Sequence, residues 1–165
     1  ALWACGKIEE PAYHQAYKGE NTVIEMPFTT FLKTSAQSSQ KGNIPALAID
    51  GDDKTRWCAS SATKPTWYQF QFLNMTSLTA IEIDWEIKNQ WTQYTIETSR
   101  DGKKWTSLVD ASKNTQAGTR KDKVKIQYMR YMRINILGQE NDMWPSIREI
   151  RFFDYTGTQL TLENK

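Results

Sequence analysis

Hydrophobic and polar residues alternate with a period of two along much of this chain, a pattern that predicts β-strands. Residues 68–72 alternate aromatic rings with glutamines, and residues 81–87 alternate apolar side chains with carboxylates. Each segment therefore has one face suited to a core and one suited to water. No segment keeps a helical period, so the pattern indicates an all-β protein.

A β-hairpin is predicted within residues 92–110. Alternation at Tyr94 and Ile96 runs into Asp101-Gly102, a dipeptide typical of hairpin turns, and apolar residues return after it. Further strands are predicted at residues 22–26, 123–127, 130–137 and 147–155, with a short edge strand at 158–162. Many short strands separated by turn residues predict an antiparallel β-sandwich of jelly-roll type.

The first part of the chain is less regular than the rest. Prolines and glycines punctuate residues 1–30, which we interpret as an N-terminal extension or linker, or as the tail of a preceding domain. Residues 31–165 are interpreted as the folded module. A length of 165 residues without an internal repeat fits one such domain.

Charge and hydropathy exclude two classes of partner. The chain carries 21 basic and 19 acidic residues, a net charge of +2, and lacks the basic block of a nucleic-acid-binding protein. No run of about 18 apolar residues predicts a transmembrane helix, and a signal-peptide pattern is absent. We interpret the chain as a mature form or a piece of a longer protein, with no nucleic-acid partner and no transmembrane segment.

The residues with reactive side chains do not form a catalytic pattern. Cys5 and Cys58 are too few for a disulfide framework, and either one bridge or two free buried thiols remains open. A nucleophilic pair of Cys58 with His14 lacks any local signature. Zinc-ligand spacing, a nucleophile elbow and a phosphate-binding glycine loop are also missing. We therefore expect no enzymatic activity.

Residues 48–57 crowd three carboxylates and a threonine hydroxyl around one glycine. Oxygen ligands of this kind suit a hard cation such as Ca²⁺. An ordinary turn is the alternative, since glycine supplies a positive φ and aspartate caps its own backbone. The segment lacks the ligand spacing of an EF-hand, so any ion would need further ligands from distant parts of the chain.

Several short motifs stand in a defined order within residues 31–155. They are Asn-Ile-Pro-Ala-Leu-Ala-Ile-Asp-Gly-Asp at 43–52, Thr-Arg-Trp at 55–57, Pro-Thr-Trp-Tyr-Gln at 65–69, Trp-Glu at 85–86, Tyr-Thr-Ile-Glu-Thr-Ser at 94–99, Asp-Gly-Lys-Lys-Trp at 101–105, Arg-Tyr-Met-Arg at 130–133 and Ile-Arg-Glu-Ile at 147–150. This order resembles the coagulation factor 5/8 type C, or discoidin, family. Within that family it is most similar to bacterial carbohydrate-binding modules of family 32. The resemblance implies an eight-stranded discoidin or galactose-binding-like sandwich with a structural calcium.

The resemblance also implies the ligands of that Ca²⁺. Carried over by position, they are the Leu47 carbonyl, Asp50, Asp52, Thr55 and Glu149. Asp53 is the alternative wherever Asp52 offers only its carbonyl. For Glu149 the alternative is an ion pair with Arg148 or Arg151 at a strand end.

The tryptophans divide into two predicted groups. Trp57, Trp67, Trp85 and Trp105 are expected in the core, by resemblance or by alternation. Trp91 and Trp144 remain as rings on which the C–H face of a sugar could stack. Glu86, Asn89 and Asn141 lie beside them in the sequence and could bind sugar hydroxyls. The alternative is that Trp91 and Trp144 only cover the ends of the sandwich.

The resemblance implies a monomeric, non-catalytic module of a secreted, periplasmic or cell-surface bacterial protein. Such a module targets a tethered catalytic domain, or a surface protein, to a glycan or polysaccharide. Galactose-binding members commonly place a histidine where this chain has Cys58, so we do not expect galactose specificity. Trp85-Glu86 is more similar to relatives appended to enzymes that degrade glucans or plant polysaccharides. The alternative function is adhesion to a protein or phospholipid surface, which ranks second because the loop at 60–64 is small and polar.

Overall fold

The computed structural model describes residues 15–18, 22–25, 29–74, 77–126 and 129–165. The strands are β1 (Gln15–Lys18), β2 (Thr22–Glu25), β3 (Thr29–Ala36), β4 (Trp57–Cys58), β5 (Thr66–Phe72), β6 (Leu78–Trp85), β7 (Thr92–Ser99), β8 (Thr106–Ala111), β9 (Arg120–Ile126), β10 (Tyr131–Gln139), β11 (Ser146–Phe153) and β12 (Thr161–Asn164). Two 3-10 turns span Pro45–Ala48 and Glu140–Asp142. No helix in the described ranges is long and apolar enough to cross a membrane.

Two sheets form a β-sandwich, which confirms the predicted fold class. One sheet has the strand order β12-β3-β5-β10-β7-β8 and the other has the order β4-β11-β6-β9. Neighbouring strands are antiparallel except for β12, which runs parallel to β3. The strands β1 and β2 pair with each other in a separate two-stranded sheet.

The predicted number of eight strands is wrong, because ten strands make up the two sheets within the described residues. Two of the ten carry little alternation for a sequence pattern to detect. The strand β4 has only two residues and both are buried. The strand β12 is an edge strand with mostly exposed residues, and it begins at Thr161 rather than at the predicted residue 158.

Other boundaries follow the pattern closely. The strands β7 and β8 form the predicted hairpin, with Gly102 in the turn at φ 73°. The strand β2 confirms the strand predicted at 22–26, whereas β9 begins at Arg120, before the predicted start. The proposed boundary at residue 31 falls inside β3. The assignment of residues 1–30 to a linker or a preceding domain stays a prediction.

Aromatic rings from both sheets meet in the core. Phe70 of β5 contacts Phe152 of β11 with ring centroids 5.1 Å apart, and Tyr68 contacts Trp57 of β4 at 5.2 Å. Both pairs are edge-to-face, the geometry that aromatic quadrupoles favour by about 0.5–1.5 kcal/mol per pair. Trp57 and Trp85 are 0% and 2% exposed, which confirms them as core residues.

Trp67 and Trp105 are not core residues, contrary to the prediction. Both are half-buried on the outward face of the six-stranded sheet. The Arg133 guanidinium lies 4.8 Å from the Trp67 ring and 4.6 Å from the Trp105 ring, and it donates to Gln69 Oε1. Alternation explains this position, because Tyr68 takes the inward side of β5. A cation between two rings stabilises an outward-facing aromatic pair.

Candidate functional site

The strand ends that carry the candidate residues meet at one end of the sandwich. Ile147 near the start of β11 pairs with Trp57 in β4 and with Trp85 at the end of β6. Gln139 at the end of β10 pairs with Thr92 at the start of β7. The segment 140–145 joins the end of β10 to the start of β11, so the loops at these ends are neighbours.

The loop at 47–55 gathers oxygen atoms around one hydroxyl. Thr55 Oγ1 lies 2.6 Å from Asp50 Oδ2, 3.0 Å from the Asp52 carbonyl and 3.4 Å from the Leu47 carbonyl. A hydroxyl carries one proton and can donate to only one of these oxygens at a time. The cluster is therefore rich in acceptors and poor in donors.

Glu149 reaches the same loop from β11. A register shift between Ile147 and Glu149 marks a β-bulge, a feature that re-aims side chains next to functional sites. Glu149 is 5% exposed, and its Oε1 accepts a hydrogen bond of 2.9 Å from the Gly51 N–H. Gly51 has a φ of 75°, a conformation that favours glycine. The predicted distant ligand, Glu149, thus lies against the loop.

The alternative ion pairs of Glu149 are not formed among the described residues. Arg148 Nη1 instead donates to the Asp53 carbonyl at 2.9 Å. Arg151 pairs with Glu82, with an Nη1–Oε1 distance of 3.1 Å. Glu149 is therefore held by the loop and not by a neighbouring guanidinium.

Electrostatics distinguish the two carboxyl groups of the cluster. Burial and the adjacent carboxylate of Asp50 raise the pKa of Glu149 to about 8. Burial alone would also raise the pKa of Asp50, but hydrogen bonds from the Thr55 hydroxyl and the Asp52 N–H hold it below its ordinary value. Glu149 therefore holds a proton at neutral pH beside the ionised Asp50, and a bound cation would favour the form in which both groups are ionised.

The structure brings all five predicted metal residues together, and at Asp52 the carbonyl rather than the carboxylate faces Thr55. The Asp52 carbonyl faces Thr55, while its carboxylate accepts a hydrogen bond from the Lys54 N–H. Among the described residues, no group of three or more histidine, cysteine, aspartate or glutamate side chains is placed to hold a metal ion. Two carboxylates with a hydroxyl and carbonyl oxygens are a donor set that suits Ca²⁺ and not zinc.

Trp91 and Trp144 lie on neighbouring loops of the same end. Trp144 is 45% exposed, whereas Trp91 is half-buried at the start of β7. The Glu140 N–H donates to the Trp91 carbonyl at 3.2 Å, and the Trp91 N–H donates to Glu140 Oε2 at 3.3 Å. The short segment between Glu140 and Trp144 therefore links the two rings.

The predicted polar residues differ in how they are held. Asn89 and Asn141 are exposed. Glu86 is half-buried and pairs with Arg56, with an Nε–Oε1 distance of 3.1 Å. Arg56 is not among the predicted site residues, although it stands in the Thr-Arg-Trp motif at 55–57. Its carboxylate partner 30 residues later could not be assigned from that motif.

Cys58 lies beside this pair as a free, buried thiol. Burial raises the pKa of the thiol, and its Sγ lies 3.4 Å from the Ala59 carbonyl. A protonated and buried thiol is a packing residue rather than a nucleophile. Cys5 and His14 lie outside the described residues.

Comparison with known proteins gives one family. The family model of the F5/8 type C domain matches residues 33–150, well over half of the chain. No curated protein matches the chain.

Three of the similar solved structures are binding modules. Chitosan-binding module 1 of a chitosanase/glucanase from Paenibacillus sp. IK-5 is 20% identical with a TM-score of 0.65, covering 73% of this chain and 93% of that one. The CBM32 module of AlyQ, in complex with 4,5-unsaturated mannuronic acid, is 21% identical with a TM-score of 0.65 and covers 78% and 98%. The CBM32-4 module of CpGH89 from Clostridium perfringens, in complex with glcNAc-alpha-1,4-galactose, is 19% identical with a TM-score of 0.60 and covers 72% and 86%. Identities this low support a shared fold.

Proposed function

Because the chain belongs to the F5/8 type C domain family, we propose that it is a non-catalytic carbohydrate-binding module. It targets a larger protein, a glycoside hydrolase or a surface protein, to a glycan. The observation that carries this proposal is the pair of tryptophans on linked loops at one end of the sandwich. Trp144 presents an exposed ring, and Trp91 is joined to its loop through Glu140.

The surroundings of the two rings suit a sugar. The apolar C–H face of a pyranose stacks on an aromatic ring, while amide and charged side chains bind its hydroxyls. Asn89 and Asn141 are exposed, and the pair of Arg56 and Glu86 offers both a donor and an acceptor. The three similar modules bind chitosan, an unsaturated mannuronic acid and a neutral disaccharide. This range supports glycan binding as a class and leaves the sugar open.

We also propose that one Ca²⁺ stabilises the loop at 47–55. The Leu47 and Asp52 carbonyls, the Thr55 hydroxyl and the carboxylates of Asp50 and Glu149 would hold it. Their convergence supports this proposal, because Ca²⁺ takes six to eight oxygen ligands. When bound, the ion would offset the repulsion between the two carboxylates and stiffen the loop. It has no part in catalysis.

Each contact between the protein and a sugar hydroxyl is weak, and this determines how the module acts. Sugar hydroxyls exchange water for protein at little net gain in free energy, so the module works through avidity or by raising the local concentration of its tethered partner. This role requires contact with extracellular or surface polysaccharide, which supports a secreted, periplasmic or cell-surface location.

A glycan array tests the proposal directly. The isolated chain is applied in Ca²⁺ to plant, mucin and microbial polysaccharides that include chitosan, alginate and pectin. We expect reproducible binding to at least one class. A folded domain that binds none of these glycans would contradict the proposed function.

Adhesion to a phospholipid surface is the second candidate, because Met143 and Trp144 are adjacent and 41% and 45% exposed. Two protruding apolar side chains at a loop tip could enter a membrane interface. Co-sedimentation with phosphatidylcholine–phosphatidylserine vesicles separates the two candidates. Binding to vesicles together with a blank glycan array would favour adhesion.

A further inference from the structure

The ammonium of Lys64 is enclosed by backbone and carboxylate oxygens at the candidate glycan site. The side chain is 8% exposed, a degree of burial that lysine rarely shows without partners. Its Nζ donates to the Ala62 carbonyl at 3.1 Å, to Asp142 Oδ1 at 2.9 Å and to the Met143 carbonyl at 2.9 Å. An ammonium has three donors, and all three are satisfied within the protein.

Two of these partners belong to a loop with an unfavourable backbone. Asn141 and Asp142 have φ values of 61° and 49°, in the left-handed region. Residues other than glycine occupy this region rarely, although asparagine and aspartate do so more often than most. Such a conformation persists only when surrounding contacts hold it. The contacts of Lys64 with Asp142 and Met143 supply this support.

The other end of the same loop is attached to Trp91. Glu140 exchanges two hydrogen bonds with the backbone of Trp91, through its N–H and through its carboxylate. The loop is therefore held at Glu140 by β7 and at Asp142 and Met143 by Lys64. Trp144 follows immediately, so the position of its ring depends on both attachments.

We propose that Lys64 is a positioning residue of the glycan site. Its ammonium holds Asn141 and Asp142 in the left-handed conformation and thereby sets the position of Trp144 relative to Trp91. Lys64 does not touch the sugar, because its donors are already used. This inference rests on the proposed function and assigns a residue to it. A loop held before the ligand arrives loses less conformational entropy on binding.

Amide hydrogen exchange of the free protein tests the positioning directly, with no glycan present. Lys64→Met keeps the length of the buried stem and removes the three donors. We expect the Glu140 amide, which donates to Trp91, to exchange about tenfold faster, while the amides of β10 stay unchanged. Lys33→Met removes an exposed lysine from β3 and is the matched control. Asp142→Ala, whose side chain is 83% exposed, should accelerate exchange in the same loop without disturbing the core.

Titration calorimetry with oligosaccharides of chitosan, alginate and pectin gives the second readout. Lys64→Met should bind the recognised oligosaccharide about tenfold more weakly and with a less favourable entropy, because the loop then orders on binding. Unchanged exchange at Glu140 would overturn the inference, as would weaker binding without faster exchange, since the lysine would then act on the sugar itself.

The two proposals fail in different ways. If Trp144→Ala weakens binding and Lys64→Met does not, the glycan site stands and the positioning role falls. If the wild type binds no glycan, the proposed function falls, and the exchange experiment still decides whether Lys64 holds the loop.

Discussion

Two irregular loops at one end of this sandwich each gather oxygen atoms, but they differ in whether a lysine ammonium lies among those oxygens. The loop at 47–55 gathers carboxylate, carbonyl and hydroxyl oxygens around Thr55, and the guanidinium that reaches this loop, Arg148, contacts the Asp53 carbonyl instead of this cluster. The loop at 140–144 gathers carbonyl and carboxylate oxygens around the ammonium of Lys64. If the proposed metal site is correct, the first loop depends on an ion from solution, whereas the second carries its positive charge on a side chain.

Because of this difference, the two loops should respond to different perturbations. Chelation should affect the loop at 47–55, whose proposed cation can dissociate. Mutation of Lys64 should affect the loop at 140–144, whose cation is part of the chain. Stability should follow the first loop, because Glu149, which contacts it from β11, is buried in the sandwich. Glycan affinity should follow the second loop, because Trp144 is exposed on it.

The largest expected effect is on thermal stability. An ion at about 100 times its Kd adds about 2.7 kcal/mol, which for a domain of this size raises Tm by roughly 5–10 °C. Asp50→Asn should abolish this rise, because the variant loses a charged ligand and keeps the shape of the side chain. Calorimetry or circular dichroism with Ca²⁺ and with EDTA measures it.

Asp101→Asn is the control for that experiment, since Asp101 caps backbone N–H groups in the hairpin turn at the other end of β7. This variant should keep the full response to Ca²⁺. Equal melting temperatures of the wild type in Ca²⁺ and in EDTA would contradict the metal site.

The next effect is on glycan affinity. Trp144→Ala should weaken binding about tenfold, the order expected for loss of one stacked aromatic ring. Its Tm should stay close to that of the wild type, because the ring is 45% exposed. Trp91→Ala should also weaken binding but lower Tm, since that ring is half-buried. Tyr155→Ala, which removes a ring that is 79% exposed beyond β11, should change neither quantity.

A smaller effect separates backbone strain from side-chain contact at Asn141. Alanine at a φ of 61° adds about 1–2 kcal/mol of strain, whereas glycine adds none. Asn141→Ala should therefore bind glycan several-fold more weakly than Asn141→Gly. A loss of affinity that both variants show relative to the wild type measures the contact between the Asn141 side-chain amide and the sugar. Identical affinities of the two variants would show that the left-handed conformation is unimportant for binding.

The smallest effect concerns Asp53. Its carbonyl accepts a hydrogen bond from Arg148, and Asp52 already offers a carbonyl toward Thr55. Asp53→Asn should therefore keep the rise of Tm in Ca²⁺ within about 1 °C of the wild type, because a surface substitution changes stability by no more than about 0.5 kcal/mol. Loss of the Ca²⁺ response would make Asp53, rather than Asp52, the ligand from this part of the loop.

Much of the sandwich could be predicted from alternation, because one face of most strands is buried. Alternation alone failed where a strand has too few residues to show a period, as in β4, or lies at an exposed edge, as in β12. Alternation also places Trp67 on the face opposite the buried Tyr68, although the resemblance to the family suggested the core. At Trp67, alternation therefore predicts the orientation of the ring better than the resemblance does.

The site could be predicted only in part. Resemblance to a family placed Glu149 near residues 47–55, although 94 residues separate it from Thr55, and the bulge that brings it there has no sequence signal of its own. Lys64 could not be found, because its role comes from a contact with Asp142, 78 residues away. Asparagine and aspartate tolerate the left-handed conformation that Asn141 and Asp142 adopt. These residue types alone do not reveal that the loop needs support from Lys64.

The central claim is that glycan binds where Trp91 and Trp144 lie. The seven tryptophans of the chain give separate indole N–H resonances that can be followed in one two-dimensional NMR titration with the recognised oligosaccharide. We expect saturable shifts of the Trp91 and Trp144 indole resonances and no shift of the Trp57 and Trp85 resonances, because those two rings lie in the core. Saturable shifts of Trp67 and Trp105 instead, on the outward face of the six-stranded sheet, would contradict this claim.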